Sequence, residues 1–114
     1  MKQKEIWLIN LDPTIGAEIK KTRPCVILND DSIGALPLKV VVPITDFKDK
    51  YTEIPWMVKI SKNSLNKLDK TSAIDTFQVR CVSKERLVRK IGVISDDDLK
   101  KAKAALKIVF GATS

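Results

Sequence analysis

Along most of the chain the apolar residues fall in short runs broken by turn chemistry, a pattern that predicts strands. EIWLINL (5–11) is apolar, aromatic and β-prone, and DPTIG (12–16) stops it with an Asp-Pro turn and a glycine. Pro24 presets an extended start for CVILN (25–29), and DDSIGALP (30–37) turns the chain into LKVVVPIT (38–45). Pro43 has no backbone donor, so an edge or a bulge is expected there. Further strands are expected at WMVKI (56–60), across SAIDTFQVRCV (72–82), where alternation is imperfect, and at VRKIGVI (88–94). The period then changes. Leu99, Ala102, Leu106, Val109 and Phe110 recur at helical spacing, and Lys100, Lys101, Lys103 and Lys107 fill much of the other face. Ser95 followed by Asp98 reads as a cap of the capping-box kind, and Gly111 can close the helix. Five or six short strands and one terminal helix predict a mainly β, α+β fold. The expected form is a small, strongly curved antiparallel sheet or partly open barrel with the helix against it.

Composition narrows the partners. At 114 residues and 44% hydrophobic the chain can bury one core and has no room for a second, so residues 1–114 are expected to form a single domain. A net charge of +7 points to a polyanion, an anionic surface or an acidic protein. The longest apolar runs, such as Leu38 to Pro43, fall far short of the roughly 20 residues of a membrane span. MKQKEIW lacks a secretory hydrophobic region, so a cytoplasmic protein with no membrane attachment is expected. Cys25 and Cys81 are far apart within strand-like runs and read as buried thiols.

The missing residues exclude whole reaction classes. The sequence contains no histidine, which removes Ser-His-Asp and Cys-His catalysis and most zinc sites. It contains neither a Gly-x-x-x-x-Gly-Lys nor a Gly-x-Gly-x-x-Gly loop. SDDDL (95–99) gathers carboxylates, but a helix N-terminus favours acids without any metal. No cofactor and no metal site is expected. An enzyme made of such residues needs a substrate that supplies its own nucleophile. RNA does so, because its 2′-hydroxyl can attack the adjacent phosphodiester once it is aligned and the developing charge is stabilised. An arginine's planar, permanently charged fork suits that charge, and a positioned hydroxyl adds a hydrogen bond.

EIWLINLDPTIGAEIKKTRPCVILND (5–30) strongly resembles the opening of MazF/PemK-type toxins, the endoribonuclease partners of bacterial toxin–antitoxin pairs. The likeness continues in VVVPIT (40–45), in SAIDTFQVRCVSKERLVRKIG (72–92) and in LKKAKAALKIVFG (99–111), leaving about 48–69 without a matching motif. The resemblance implies a homodimeric SH3-like barrel that cuts single-stranded RNA at short sequences. It further implies cyclic-phosphate and 5′-hydroxyl ends formed without a metal, and neutralisation by a cognate antitoxin with an acidic, disordered tail. It makes Arg23 the catalytic arginine and Thr45 the hydroxyl beside it. It places Glu18, Lys20, Lys21, Gln78 and Arg80 along an RNA groove.

Each residue also has a plainer structural reading. Arg23 can salt-bridge Glu18 at the base of a loop, and Thr45 can end a strand for its β-propensity alone. Lys20 and Lys21 can be solvated loop lysines, and Gln78 and Arg80 the polar face of a strand. Phe47 and Trp56 can stack a base or complete the core, and Asp75 can face the groove or pair with Arg80. Glu18 is one candidate for the group that accepts the 2′-proton. Two features depart from the resemblance: Lys4 stands where such toxins often carry glycine, and Phe77 stands where they often carry a polar or acidic residue. Two other functions share this architecture, a CcdB-like gyrase-binding poison and an inactive RNA-binding barrel. The Arg-Pro and Pro-Ile-Thr elements favour cleavage over both.

Overall fold

The apolar runs form seven strands and one helix in a computed structural model that describes residues 1–33 and 36–112. In chain order these are β1 (Glu5–Asn10), β2 (Thr22–Ile27), β3 (Leu38–Asp46), β4 (Met57–Ile60), β5 (Ser72–Asp75), β6 (Arg80–Ser83), β7 (Leu87–Val93) and α1 (Asp96–Val109). Every pairing is antiparallel, in the order β4-β5-β3-β2-β1-β7, with β6 also on β3. Part of the turn expected at 30–37, Gly34 and Ala35, lies outside the described residues.

β3 carries the curvature. Leu38 to Val41 pair with β6 and Ile44 to Asp46 pair with β5, so Val42 and Pro43 fall where the strand changes partners. A residue without a donor costs least at such a switch. The single run expected over 72–82 is two strands, because Thr76–Gln78 form a 3-10 turn. The Asp75 carboxylate accepts from the Phe77 amide at 3.2 Å, and the buried Thr76 hydroxyl donates to the Trp56 carbonyl at 2.7 Å. Both are side-chain bonds that compete with a strand ladder.

Successive residues of β2 and β3 are buried on opposite faces, which explains their near-continuous apolar sequence. Val26, Val42, Ile44 and Ile74 meet Leu99, Ala102 and Ala105 of α1 on one face. Ile9, Cys25, Ile27, Val41 and Val82 pack together on the other. Ser95 Oγ accepts from the Asp98 amide at 3.1 Å, as the cap reading requires. Gly111 (φ +67) closes the helix with amide bonds from Gly111 to Ile108 and from Ala112 to Lys107. The helix's buried face is narrower than expected. Leu99, Ala102 and Ala105 are buried, Leu106 and Val109 are half-buried and Phe110 is exposed, so the buried face fades over the last turn.

Two polar clusters tie the frame together. Lys4 takes a left-handed conformation (φ 77), and its Nζ meets Asp96 at 2.7 Å on the first turn of α1. Glu5 lies between β1 and β7, accepting from Trp7 Nε1 at 2.9 Å and from the Lys2 amide at 2.9 Å. It also pairs with Lys90 at 3.2 Å. Burial pushes the Glu5 carboxyl up, but these bonds outweigh it and hold the group at about 2.

Candidate active site

The β2–β3 ladder brings the two residues of interest together. Its register pairs Val26 with Val42 and Cys25 with Pro43, and carried two residues further it sets Arg23 opposite Thr45. Pro24 lies within the β1–β2 ladder opposite Leu8, so the backbone beside Arg23 is fixed. Arg23 and Thr45 line a cavity of about 160 Å³ with Asp46, Asp69, Lys70 and Ser72.

The Arg23 guanidinium is largely uncommitted. Its Nε donates to the Lys20 carbonyl at 3.3 Å, and among the described residues no carboxylate pairs with it. The Arg23–Glu18 pair is therefore absent, because Glu18 accepts the Ile15 amide at 2.7 Å within its own loop. Both Arg23 and Thr45 are half-buried. Of the two carboxylates on the cavity, Asp46 pairs with Lys70 at 3.0 Å, whereas Asp69 has no partner among the described residues. Lys70 is spent on Asp46 and the Ser72 hydroxyl donates to the Lys70 carbonyl at 2.9 Å, so among the described lining residues Arg23 is the cation without a carboxylate partner, with the Thr45 hydroxyl beside it and Asp69 as the opposing charge.

Glu18, Gln78 and Arg80 line a second cavity of about 380 Å³ with Ile19, Pro43 and Phe77. Pro43 and Thr45 point to the same side of β3 about 7 Å apart, so one strand joins the two spaces. Gln78 is a clamp here: its Oε1 accepts from the Ile19 amide, and its Nε2 donates to the Ala17 carbonyl at 3.4 Å. Arg80 Nη1 donates to the Leu11 carbonyl at 3.2 Å. Lys20 and Lys21 are exposed on the same loop. Lys20 reaches Arg23 only through its carbonyl, and Lys21 (φ 70) is held by its amide on Asp12 at 3.0 Å.

Sequence reasoning missed three residues at these sites. Arg86 donates to the Asn10 carbonyl at 3.1 Å and also to the Asp12 carbonyl, closing the loop's base. Asp69 and Lys70 come from 61–71, a polar stretch whose composition says only that it is a loop. Asp75 neither faces Arg80 as an ion pair nor lines either cavity. Burial raises its carboxyl, opposed by hydrogen bonds from Phe77 and Gln78. Phe47 and Trp56 are half-buried at the surface, and Trp56 packs against the exposed Phe77 at 5.2 Å between ring centroids. The cysteine reading holds for Cys25 only. Burial pushes its thiol up to about 12 while Arg80 draws it the other way; Cys81 is exposed, and both are free.

A model of the PemK-like, MazF-like toxins of type II toxin–antitoxin systems matches residues 2–110, including the stretch 48–69. The chain belongs to this toxin family. The toxin is 32% identical over 111 residues to "Endoribonuclease MazF" of Staphylococcus saprophyticus, covering 97% of this chain and 92% of that one. The crystal structure of MazF from Deinococcus radiodurans has the same fold, at a TM-score of 0.80 and 18% identity over 97% of the toxin and 96% of that chain. So has an endoribonuclease from a mycobacterial species in complex with its cognate antitoxin, at a TM-score of 0.79 and 16% identity over 100% and 98%. Among the described residues no helix is long and apolar enough to cross a membrane.

Proposed function

We propose that this toxin cuts single-stranded RNA in the Arg23–Thr45 cavity by attack of a 2′-hydroxyl on the adjacent phosphodiester. Its family makes it a toxin endoribonuclease of a type II toxin–antitoxin system. The supporting observation is an unneutralised guanidinium set across one ladder from a strand-end hydroxyl, on a backbone fixed by Pro24. The O2′–P bond forms as the P–O5′ bond breaks, leaving a 2′,3′-cyclic phosphate and a 5′-hydroxyl. The 2′-proton leaves to a carboxylate or water, and the departing 5′-oxygen takes one up.

Arg23 opposes the charge that builds on the phosphorane, and Thr45 adds a hydrogen bond to the same oxygens. Both act where the charge is larger in the transition state than in the substrate. Glu18 is engaged within its own loop, whereas the Asp69 carboxylate on the cavity has no partner among the described residues. Lys20, Lys21, Gln78 and Arg80 bind the strand beside the cut, Gln78 by exchanging its bonds to the loop for bonds to a base.

The cognate antitoxin presents an acidic segment that orders on this basic protein, consistent with the net charge of +7 and with a relative solved with its own antitoxin. The toxin works in the cytoplasm as a homodimer. Leu36, Leu38, Val40 and Val88 are exposed apolar side chains that a second copy could cover. The test is incubation of the purified toxin with long RNA in EDTA, followed by end-group analysis. Discrete fragments with cyclic-phosphate and 5′-hydroxyl ends are expected. Intact RNA across varied sequences would instead identify a protein-binding poison.

A further inference from the structure

Next to the Arg23–Thr45 cavity lies another space, to which the stretch 48–69 contributes Lys67, Leu68 and Asp69. It measures about 460 Å³ and is lined by Leu8, Lys67, Arg89 and Ile91, and it shares Pro24, Leu68 and Asp69 with the first. One wall thus separates the two. Lys67 and Arg89 have no carboxylate partner among the described residues, although neighbouring lysines do: Lys90 pairs with Glu5, Lys70 with Asp46 and Lys4 with Asp96.

The two cations sit on rigid supports. Arg89 lies opposite Leu8 in the β1–β7 ladder. Lys67 (φ 55) belongs to a loop docked on the same β7 strand. There the Val93 amide donates to the Leu65 carbonyl at 3.1 Å, and a Cβ on Gly92 would stand 2.5 Å from the Asn66 carbonyl oxygen. Buried Asn66 holds the loop from within, accepting from the Asn63 and Leu68 amides, each at 3.0 Å. Two exposed cations without a carboxylate partner among the described residues, carried on fixed backbone beside the Arg23–Thr45 cavity, make this space suited to an anion. Asp69 on the shared wall is one negative charge against these two cations and Arg23 beyond.

We propose that the Lys67–Arg89 space holds the phosphate of a nucleotide flanking the scissile one. The proposal rests on the ribonuclease reading above. A strand lying across the Arg23–Thr45 cavity carries a phosphate at every nucleotide, and a strand leaving past Pro24 and Leu68 brings the next one to Arg89 and Lys67. The subsite reads backbone and not base, so it contributes affinity and register without sequence preference.

The test uses an oligonucleotide centred on the mapped cleavage site, with 2′-deoxyribose at the attacking position so that it binds uncut. Arg89→Gln and Lys67→Asn are each expected to weaken binding about five-fold near 0.15 M salt. Each should also flatten the dependence of log Kd on log salt by about 0.7, the value for one single-strand phosphate. Arg89→Lys should restore most of both, and Lys101→Gln on the far helix should change neither. Trimming nucleotides from one end should erase the difference between wild type and Arg89→Gln. Wild-type toxin that cleaves RNA while Arg89→Gln binds with unchanged affinity and slope overturns the subsite alone. The same follows if Arg89→Gln loses affinity only for the antitoxin, which assigns the space to an acidic protein segment. Wild type that neither binds nor cuts RNA overturns the ribonuclease reading and the subsite with it.

Discussion

One loop borders each of the two cavities joined along β3, Leu11 to Lys21 the larger and Ser61 to Thr71 the Arg23–Thr45 cavity, and their main supports differ. The loop from Leu11 to Lys21 has short ties of its own, Glu18 on the Ile15 amide and Asp12 on the Lys21 amide, and is otherwise pinned from outside, by Arg80 on the Leu11 carbonyl, Arg86 on the Asp12 carbonyl and both ends of the Gln78 amide. The loop from Ser61 to Thr71 is held from inside. Asn63 and Asn66 bond its own amides, Asn66 is fully buried, and Gly92 lets it sit directly on β7. Long polar side chains near the surface exchange partners at small cost, whereas a buried amide that loses its partners leaves unsatisfied groups behind. The first loop is therefore the one able to rearrange around RNA, and the second is a fixed wall.

Gly92→Ala should break this contrast most strongly. Its Cβ meets backbone and not a side-chain tip, so the Ser61–Thr71 loop must lift, at a cost of about 3 kcal/mol in chemical denaturation. RNA cleavage should fall with it, since Asp69 and Lys70 move away from Arg23. Asn66→Ala removes the same support from within. It strands the Asn63 and Leu68 amides and the Ser61 carbonyl, which predicts a loss of about 2 kcal/mol by the same measurement.

Acid separates the frame from either loop. Glu5 titrates at about 2 in the folded protein against 4.5 for the free group. A depressed carboxylate contributes stability above its unfolded value and loses it as pH falls, here between about 4.5 and 2. Glu5→Gln should lower stability at neutral pH by about 2 kcal/mol and flatten the decline over that window in pH-dependent unfolding. Gln78→Ala should have the smallest effect on stability, under about 1 kcal/mol. Even so, it should speed amide hydrogen exchange at Ile19 while leaving the Asn66 loop unchanged. Equal protection of both loops in that variant would contradict the contrast.

The same division explains what could be read from the sequence. Strands β1 to β3 and the cap of α1 were legible because apolar runs, Asp-Pro chemistry and a Ser-x-x-Asp spacing are local signals. Arg23 and Thr45 were singled out through the resemblance alone, and their common place on one cavity follows from two strands that were legible as apolar runs. The break at Thr76–Gln78 was not, because a β-prone run gives no sign that Asp75 and Thr76 will spend their side chains on backbone groups. The exposed end of α1 escaped notice because periodicity shows a face but not how far along the helix it stays covered. Least legible was 61–71. Its Asn and Lys residues look like any solvated loop until Gly92, far along the chain, reveals what they dock against. Lys4 is the converse case. Its φ of 77 is the left-handed conformation that favours glycine, the residue the resemblance leads one to expect there, and its side chain reaches Asp96 at the start of α1.

The most direct measurement is cleavage of one long single-stranded RNA in EDTA by wild-type toxin beside Arg23→Ala, with folding of both verified by circular dichroism and product ends mapped. Discrete cyclic-phosphate and 5′-hydroxyl ends with the wild type, reduced at least about a hundred-fold in the variant, are the expected result. Equal cleavage by the two proteins would contradict it and leave Arg23 as a structural residue at the end of β2.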